Sequence, residues 1–346
     1  MSTLRPKFLL SSAFVLSLAA FWHAPVHAQP VAQPVVQPVQ KDTPTPAEPP
    51  DAKPKPPPYS LPSQLRPVSP GNVVRSDTAI AFYESPVNGE SGSTVASMLL
   101  ASYKVIPELA PMVRVGMVSN SPPGATAPAA DPDSGFNFIN PVVGATYGPN
   151  IGKSVKLGLF LGMTIPVGMG GGDTPEPGNA LANTAGMAAR SAMDNAMFAV
   201  NYFTVFPGVG FAFVESGFTA QVEVTVLQLF KTRGPDTLDE SNTNLTTGVH
   251  LGYFVLPMLS VGGEVRHQRW ISTPAGIKEG GGMPPRTADQ ESMLRDTTTF
   301  AVGPRFHIKL NDKMWLRPGI AFAMPIDKPL SDSKYRVAQL DVPLAF

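Results

Sequence analysis

The chain has 346 residues with 26 basic and 26 acidic side chains, so its formal charge balances and offers no basic patch for nucleic acid. It has no cysteine, which excludes disulfides, thiolate metal sites, a thiol nucleophile and a lipid-anchored start. Only 15% of residues are charged, against 31 glycines and 39 prolines, a composition that does not suit a helical enzyme.

Residues 1–28 read as a secretory signal. Arg5 and Lys7 form a basic start, FLLSSAFVLSLAAFW an apolar stretch, and VHA before Gln29 a small-residue cleavage site. The apolar run is shorter than the ~20 residues a membrane-spanning helix needs. Residues 29–71 follow, dense in proline with a Q-P-V repeat. Such a tract builds neither ladder nor helix and is expected to be an extended, disordered periplasmic tether. It reads as a passive linker or as a docking tail for a periplasmic or cell-wall partner.

From residue 72 the pattern changes to segments of about ten residues that alternate apolar with small or polar, the period of a strand. In TTTFAVGPRFHIKL, Phe300, Val302, Phe306, Ile308 and Leu310 fall on one face; Thr299, Ala301, Gly303, Arg305, His307 and Lys309 fall on the other. MWLRPGIAFAMPI and SVKLGLFLGMTIPV repeat the arrangement. One face is almost pure aliphatic and aromatic, and the other is rich in Gly, Ala, Thr and Arg. Lipid outside and a polar interior produce that contrast. The spacing predicts twelve strands, at 73–84, 94–105, 111–119, 136–147, 154–167, 200–213, 217–230, 244–255, 259–271, 297–310, 314–326 and 334–346. Connections after even strands are short and those after odd strands mostly long, as in outer-membrane barrels, which puts both ends of the barrel chain on the periplasmic side. The expected fold is therefore an all-β, antiparallel transmembrane barrel over 72–346. Trp315, Tyr335, Phe346, Trp270, Phe82, Phe136 and Tyr253 lie near strand ends, where interfacial girdles form.

The last residues resemble the C-terminal insertion signal of bacterial outer-membrane β-barrels: Phe346 is terminal, with Leu344, Val342 and Leu340 at alternate positions. Pro343 is unusual there and fits if its missing N–H meets a seam or bulge. The resemblance implies export to the outer membrane of a Gram-negative cell. It also implies partners in the barrel assembly machinery, membrane lipid and lipopolysaccharide. On architecture alone, twelve-stranded channels and the MetA-like outer-membrane proteins of phenol pathways are similar.

Twelve strands enclose more than side chains fill and less than a general porin. The faces direct Arg114, Lys156, Glu223, Glu264, Arg266, Arg305, His307 and Arg317 inward as pore-lining candidates, with Arg75, Asp77, Lys104 and Asp341 beside them. They read as a bracing salt-bridge network, or as a selectivity lining whose basic excess favours anions. After Val167 comes a glycine-rich hinge, then a predicted helix at about 179–198, capped by Asn179. Leu181, Ala185, Ala188, Ala192 and Met193 follow helical spacing, with Met187 and Met197 beside them. It reads as a plug in the mouth or as an outer cap, and its methionines suit an apolar or aromatic solute.

Other chemistry is set aside. GPNIGKS at 148–154 is one residue short of a phosphate-binding loop and leads into a strand. His250, His267 and His307 lack metal-ligand spacing, and no hydrolase nucleophile motif occurs. No catalytic residue, metal or cofactor is expected. The expected function is passage of a small solute. The alternative is a non-conducting barrel that anchors a partner through the proline-rich tail.

Overall fold

Where alternation is strictest, the chain extends, because only a strand sends successive side chains to opposite faces. The computed structural model describes residues 59–125, 130, 132–278, 291, 294–328 and 330–346. The expected signal peptide and the Q-P-V repeats lie outside the described residues. The strands are β1 (Val73–Glu84), β2 (Ser91–Ser102), β3 (Leu109–Ser121), β4 (Gly135–Phe138), β5 (Val142–Tyr147), β6 (Val155–Thr164), β7 (Tyr202–Glu215) and β8 (Phe218–Lys231). They continue as β9 (Ser241–Leu256), β10 (Leu259–Trp270), β11 (Asp296–Phe306), β12 (Ile308–Lys309), β13 (Trp315–Leu316), β14 (Gly319–Pro325) and β15 (Arg336–Ala345).

All pairings are antiparallel, and β1 pairs β15, so the sheet closes on itself. Closure leaves no edge with unpaired backbone groups, which a bilayer requires. Three pairs of segments form single staves: β4 with β5, β11 with β12, and β13 with β14. The barrel is thus twelve-stranded, as the alternation predicts. Prolines mark two of the three interruptions. Pro141 separates β4 from β5, and Pro318 separates β13 from β14. Against β15, β13 pairs at 344–345 and β14 at 337–341, so that ladder lapses where Pro343 has no N–H to give. At the β7–β8 hairpin, Ser216 and Gly217 have φ of 48° and 83°, the positive values a tight two-residue turn demands.

The outer surface is a band of exposed Leu, Val, Ile and Phe, including Leu161, Val209, Phe211, Val222, Leu251, Val302, Ile320 and Phe322. In water so large an apolar surface would aggregate; in a bilayer it is the lipid contact. Leu340 and Phe346 are on this face, and Val342 and Leu344 share its parity. Inside, small and polar residues such as Ala79, Ala81, Ala96, Thr225, Ala301 and Ala321 are buried.

The girdle expectation holds for Phe82, Phe136, Tyr253 and Phe346, which are exposed. It fails for three aromatics. Tyr335 is 5% exposed and stacks on Tyr83 at 5.2 Å inside the barrel. Trp270 and Trp315 share the inward parity of their strands, Trp270 packing on the inner core and Trp315 near Arg317. Strand-end position is legible in sequence, but it does not fix which face an aromatic at a strand end takes.

The loop between β6 and β7 carries two helices, α1 (Pro177–Ala189) and α2 (Asn195–Phe198). The single helix expected over 179–198 is therefore shorter and broken. It starts at Pro177 with Glu176 as N-cap, not at Asn179. It ends at Arg190, after which Ser191 and Ala192 take φ of 54° and 53°. The buried face is Gly178, Ala182, Asn183, Gly186 and Ala189, while Leu181 is exposed. Small residues are on that face because α1 packs on the wall at β1–β4. A Cβ on Gly135 would strike the backbone of Gly178, and one on Gly186 would strike Phe198 and Val118.

Candidate functional site

The lumen is filled from both ends. From the end of the barrel where β1 starts, residues 59–72 enter and fold back on themselves, with Tyr59 Oη 3.4 Å from Val68 N. The tether expected to run to residue 71 thus ends, among the described residues, as an insert whose apex, Ser63–Leu65, lies in the lumen. This stretch, YSLPSQLRPVSPGN, lacks the Q-P-V repeat and contains Leu61, Leu65 and Val68, of which Leu65 and Val68 are almost fully buried.

An extended segment with no strand partner must find partners for its backbone groups elsewhere. Inward side chains of the wall supply them. Glu223 Oε2 accepts from Arg66 N at 2.7 Å, and Gln221 Nε2 donates to Arg66 O at 2.8 Å. Glu264 accepts from Ser63 N and Gln64 N. Arg305 donates to Leu61 O at 3.2 Å and Pro62 O at 3.0 Å. Arg75 donates to Ser63 O at 2.6 Å, Thr219 Oγ1 accepts from Ser60 N at 3.0 Å, and His250 Nε2 lies 3.1 Å from Ser60 O. The Arg66 guanidinium lies over the Phe160 ring at 3.7 Å.

Glycines in the wall make room for the segment. Gly158 and Gly210 face each other across β6 and β7, and Val68 sits on both. A Cβ at Gly158 would be 2.5 Å from Val68 O, and one at Gly210 would be 2.7 Å from Val68 Cγ1. Gly248 and Gly252 do the same for Leu65 and Ser60. Glycine inside a strand costs stability, and close approach of another backbone accounts for it here.

From the other side, the loop carrying α1 and α2 descends along the inner wall. Arg190 at the end of α1 is fully buried and grips Asp77 of β1 with both terminal nitrogens, at 2.7 and 2.6 Å, and Asp194 through Nε at 2.8 Å. Arg114 of β3 also pairs with Asp194. Burial alone would raise the Asp194 carboxyl; the Arg114 and Arg190 guanidiniums outweigh it and hold it at about 2. The same carboxylates outweigh the burial penalty on Arg190 and hold its guanidinium above the ordinary value. The two inserts meet where Gln64 Nε2 donates to Arg190 O at 2.6 Å. Between them remains a cavity of about 80 Å³, bounded by Arg66, Met98, Met112, Phe160, Met193 and Met197 among others.

Of the sequence candidates, Arg114, Glu223, Glu264, Arg266, Arg305 and His307 are lumenal and largely buried. They form several groups: Arg114 with the loop, Glu223 with Arg66, Glu264 with Arg266 at 2.6 Å, and Arg305 with Asp341. Lys156 has inward parity near the start of β6, 3.5 Å from Gly152 O. Arg317 is half-buried opposite His307 on the neighbouring stave. Lys104 corrects the expectation: β2 ends at Ser102, and Lys104 is exposed in the turn beyond it. The sequence reading misses Arg190 and Asp194, placed in a loop, and Tyr59, Gln64 and Arg66, placed in the tether. The signal for the second group is the set of mid-strand glycines.

No family model matches the chain, and no curated protein sequence matches it. Among solved structures it is similar to the COG4313 outer membrane channel from Pseudomonas putida F1, at 12% identity and a TM-score of 0.49, covering 83% of this chain and 100% of that one. It is also similar to the KdgM porin in complex with disordered oligogalacturonate, at 10% identity and a TM-score of 0.42, covering 79% of this chain and 99% of that one. Likenesses this distant assign neither solute nor site, whereas the closed ladder, apolar exterior and polar interior make this chain a transmembrane β-barrel of the outer-membrane type.

Proposed function

We propose that the chain is an outer-membrane channel for a small solute, held closed at rest by two lumenal inserts. One observation carries the reading: the lumenal carboxylates and guanidiniums bind the backbone of residues 60–66, which no ladder bond ties to the wall and which joins β1 through residues 67–72. A barrel needing only a braced interior pairs its own charges, as Arg266 does with Glu264. Here Glu223 and, beside their wall ion pairs, Glu264, Arg305 and Arg75 also hold a segment that is anchored to β1 at one end. The insert continues at Tyr59 into the proline-rich tract, so a periplasmic tether or partner acts directly on it. The solute class is set by the basic excess of the lumen, which favours anions, and by the methionine-lined cavity between the inserts.

Planar-bilayer recording of the exported full chain is the test. The wild type should conduct little or in rare openings. Glu223→Gln with Glu264→Gln, which weakens the backbone contacts of residues 63–66, should raise open probability or conductance. If neither protein conducts, and removal of residues 29–68 from the chain does not open a pore either, the non-conducting anchor replaces the channel.

A further inference from the structure

Arg317 is the guanidinium of the lower lumen that the chain leaves unanswered. Arg75 and Arg305 share Asp341, Arg66 pairs with Glu223, and Arg266 with Glu264. Among the described residues Arg317 has no carboxylate partner, and its buried Nε has no hydrogen-bond acceptor. The Trp315 ring centre, 5.8 Å from its guanidinium, is a weak substitute.

Its neighbour has the same deficit. The registers Arg305↔Gly319 and Ile308↔Leu316 place His307 and Arg317 directly opposite each other on adjoining staves, where side chains of one face meet. His307 is 2% exposed; its Nε2 is 2.9 Å from Ser260 Oγ, and its Nδ1 has no partner among the described residues. In the tautomer whose Nε2 accepts from the Ser260 hydroxyl, Nδ1 carries the proton and is a second unused donor; the opposite tautomer would make Nδ1 an acceptor. Around them are more positive groups. Arg305 donates to Arg317 O at 2.7 Å, and the carbonyl of inward-facing Pro343 is taken by Arg317 N at 2.9 Å. Two buried donors without acceptors are costly, and one anion between them removes both deficits.

We propose that Arg317 and His307 form a binding site for a small monovalent anion, a halide or a carboxylate, at the periplasmic end of the lumen. The site is separate from the cavity between the inserts and does not depend on conduction. An anion leaving the barrel meets it last, and one entering from the periplasm meets it first.

Trp315 reports on the site. In the exported full chain, Trp270→Phe leaves Trp315 as the tryptophan of the described residues, and iodide, a heavy halide, quenches a nearby indole. At constant ionic strength the quenching of Trp315 should saturate with iodide. Arg317→Gln should remove the saturating part or weaken it by about tenfold or more, the loss expected for a charge-assisted hydrogen bond. Acetate relieving the quench assigns the site to carboxylates as well; relief by chloride alone assigns it to halides. Linear quenching that is the same with and without Arg317→Gln overturns the proposal. Should Arg317→Gln fail to give a folded, heat-shifted band on gels, Arg317→Lys and His307→Gln carry the same test. Each should weaken iodide, and unchanged quenching in both overturns the site.

Discussion

Val68 and Arg190 show how single residues decide whether the lumen is filled. Val68 rests on the facing pair Gly158 and Gly210, and its carbonyl is where a Gly158 side chain would go. Gly158→Val should therefore expel the insert at a cost of about 1–3 kcal/mol, the usual range for overpacking, without touching an ion pair. The barrel should still assemble, and proteolysis should begin to cut between Tyr59 and Pro70; continued protection would mean the segment is held by its backbone contacts alone. Arg190 acts oppositely, through attraction. Arg190→Ala leaves Asp77 and Asp194 with Arg114 as their remaining guanidinium partner, and breaking a buried pair costs roughly 3–5 kcal/mol. Arg190→Lys should fail as well, because one ammonium cannot reproduce the fork across two carboxylates. Limited proteolysis within residues 170–200 distinguishes a released loop from a docked one.

At the scale of elements, the loop between β6 and β7 is an acid-sensitive piece. A free Asp titrates near ~3.9, while docked Asp194 is held at about 2. The folded value is the lower, so Asp194 stabilises the docked loop above the free value, and this is lost as pH falls through about 2. Pepsin, active across that window, should begin to cut the loop only as pH drops below about 4 toward 2, and Asp194→Asn should be cut already at the upper end. Cleavage of both proteins at the same pH would remove Asp194 as the anchor. The strands of the wall were legible in sequence because period-two alternation is enforced independently on each of them by lipid on one side. Phe300, Val302, Phe306 and Ile308 could hardly be read otherwise. The course of the inserts was not legible. Residues 59–72 have no period, since an unpaired segment held by wall side chains imposes none, and their one signature sits elsewhere in the chain, at Gly158, Gly210, Gly248 and Gly252. The helix face was misjudged for a related reason. Close approach to the wall selects Gly178, Ala182 and Gly186, whereas hydrophobic spacing points to Leu181. At the last strand, Phe346 donates its N–H to Asn72 O at 3.1 Å, at the seam that closes the barrel. Deleting Phe346 should lower the yield of assembled, heat-modifiable barrel in the outer membrane without lowering export. Normal assembly of both that deletion and Leu344→Asp would show that the seam forms without them.

For the whole molecule, the two inserts are obstructions in series along one lumen, touching at Gln64 and Arg190. Resistances in series add, so removing one obstruction leaves current limited by the other. Gly158→Val alone and Arg190→Ala alone should each raise single-channel conductance only modestly, whereas the double variant should conduct far more than the sum of the two increases. This non-additivity is what two obstructions in series along one lumen require, and two parallel paths would not give it. The opposite pattern is equally readable. Full conductance from Gly158→Val alone would make the N-terminal insert the whole closure and α1 a lining of the mouth. Full conductance from Arg190→Ala alone would make the loop the closure and residues 59–72 a stabilising packing element. A double variant that assembles, shifts on heating and still passes no current would mean that the lumen is closed by the wall itself, and the anchoring role would then replace the channel.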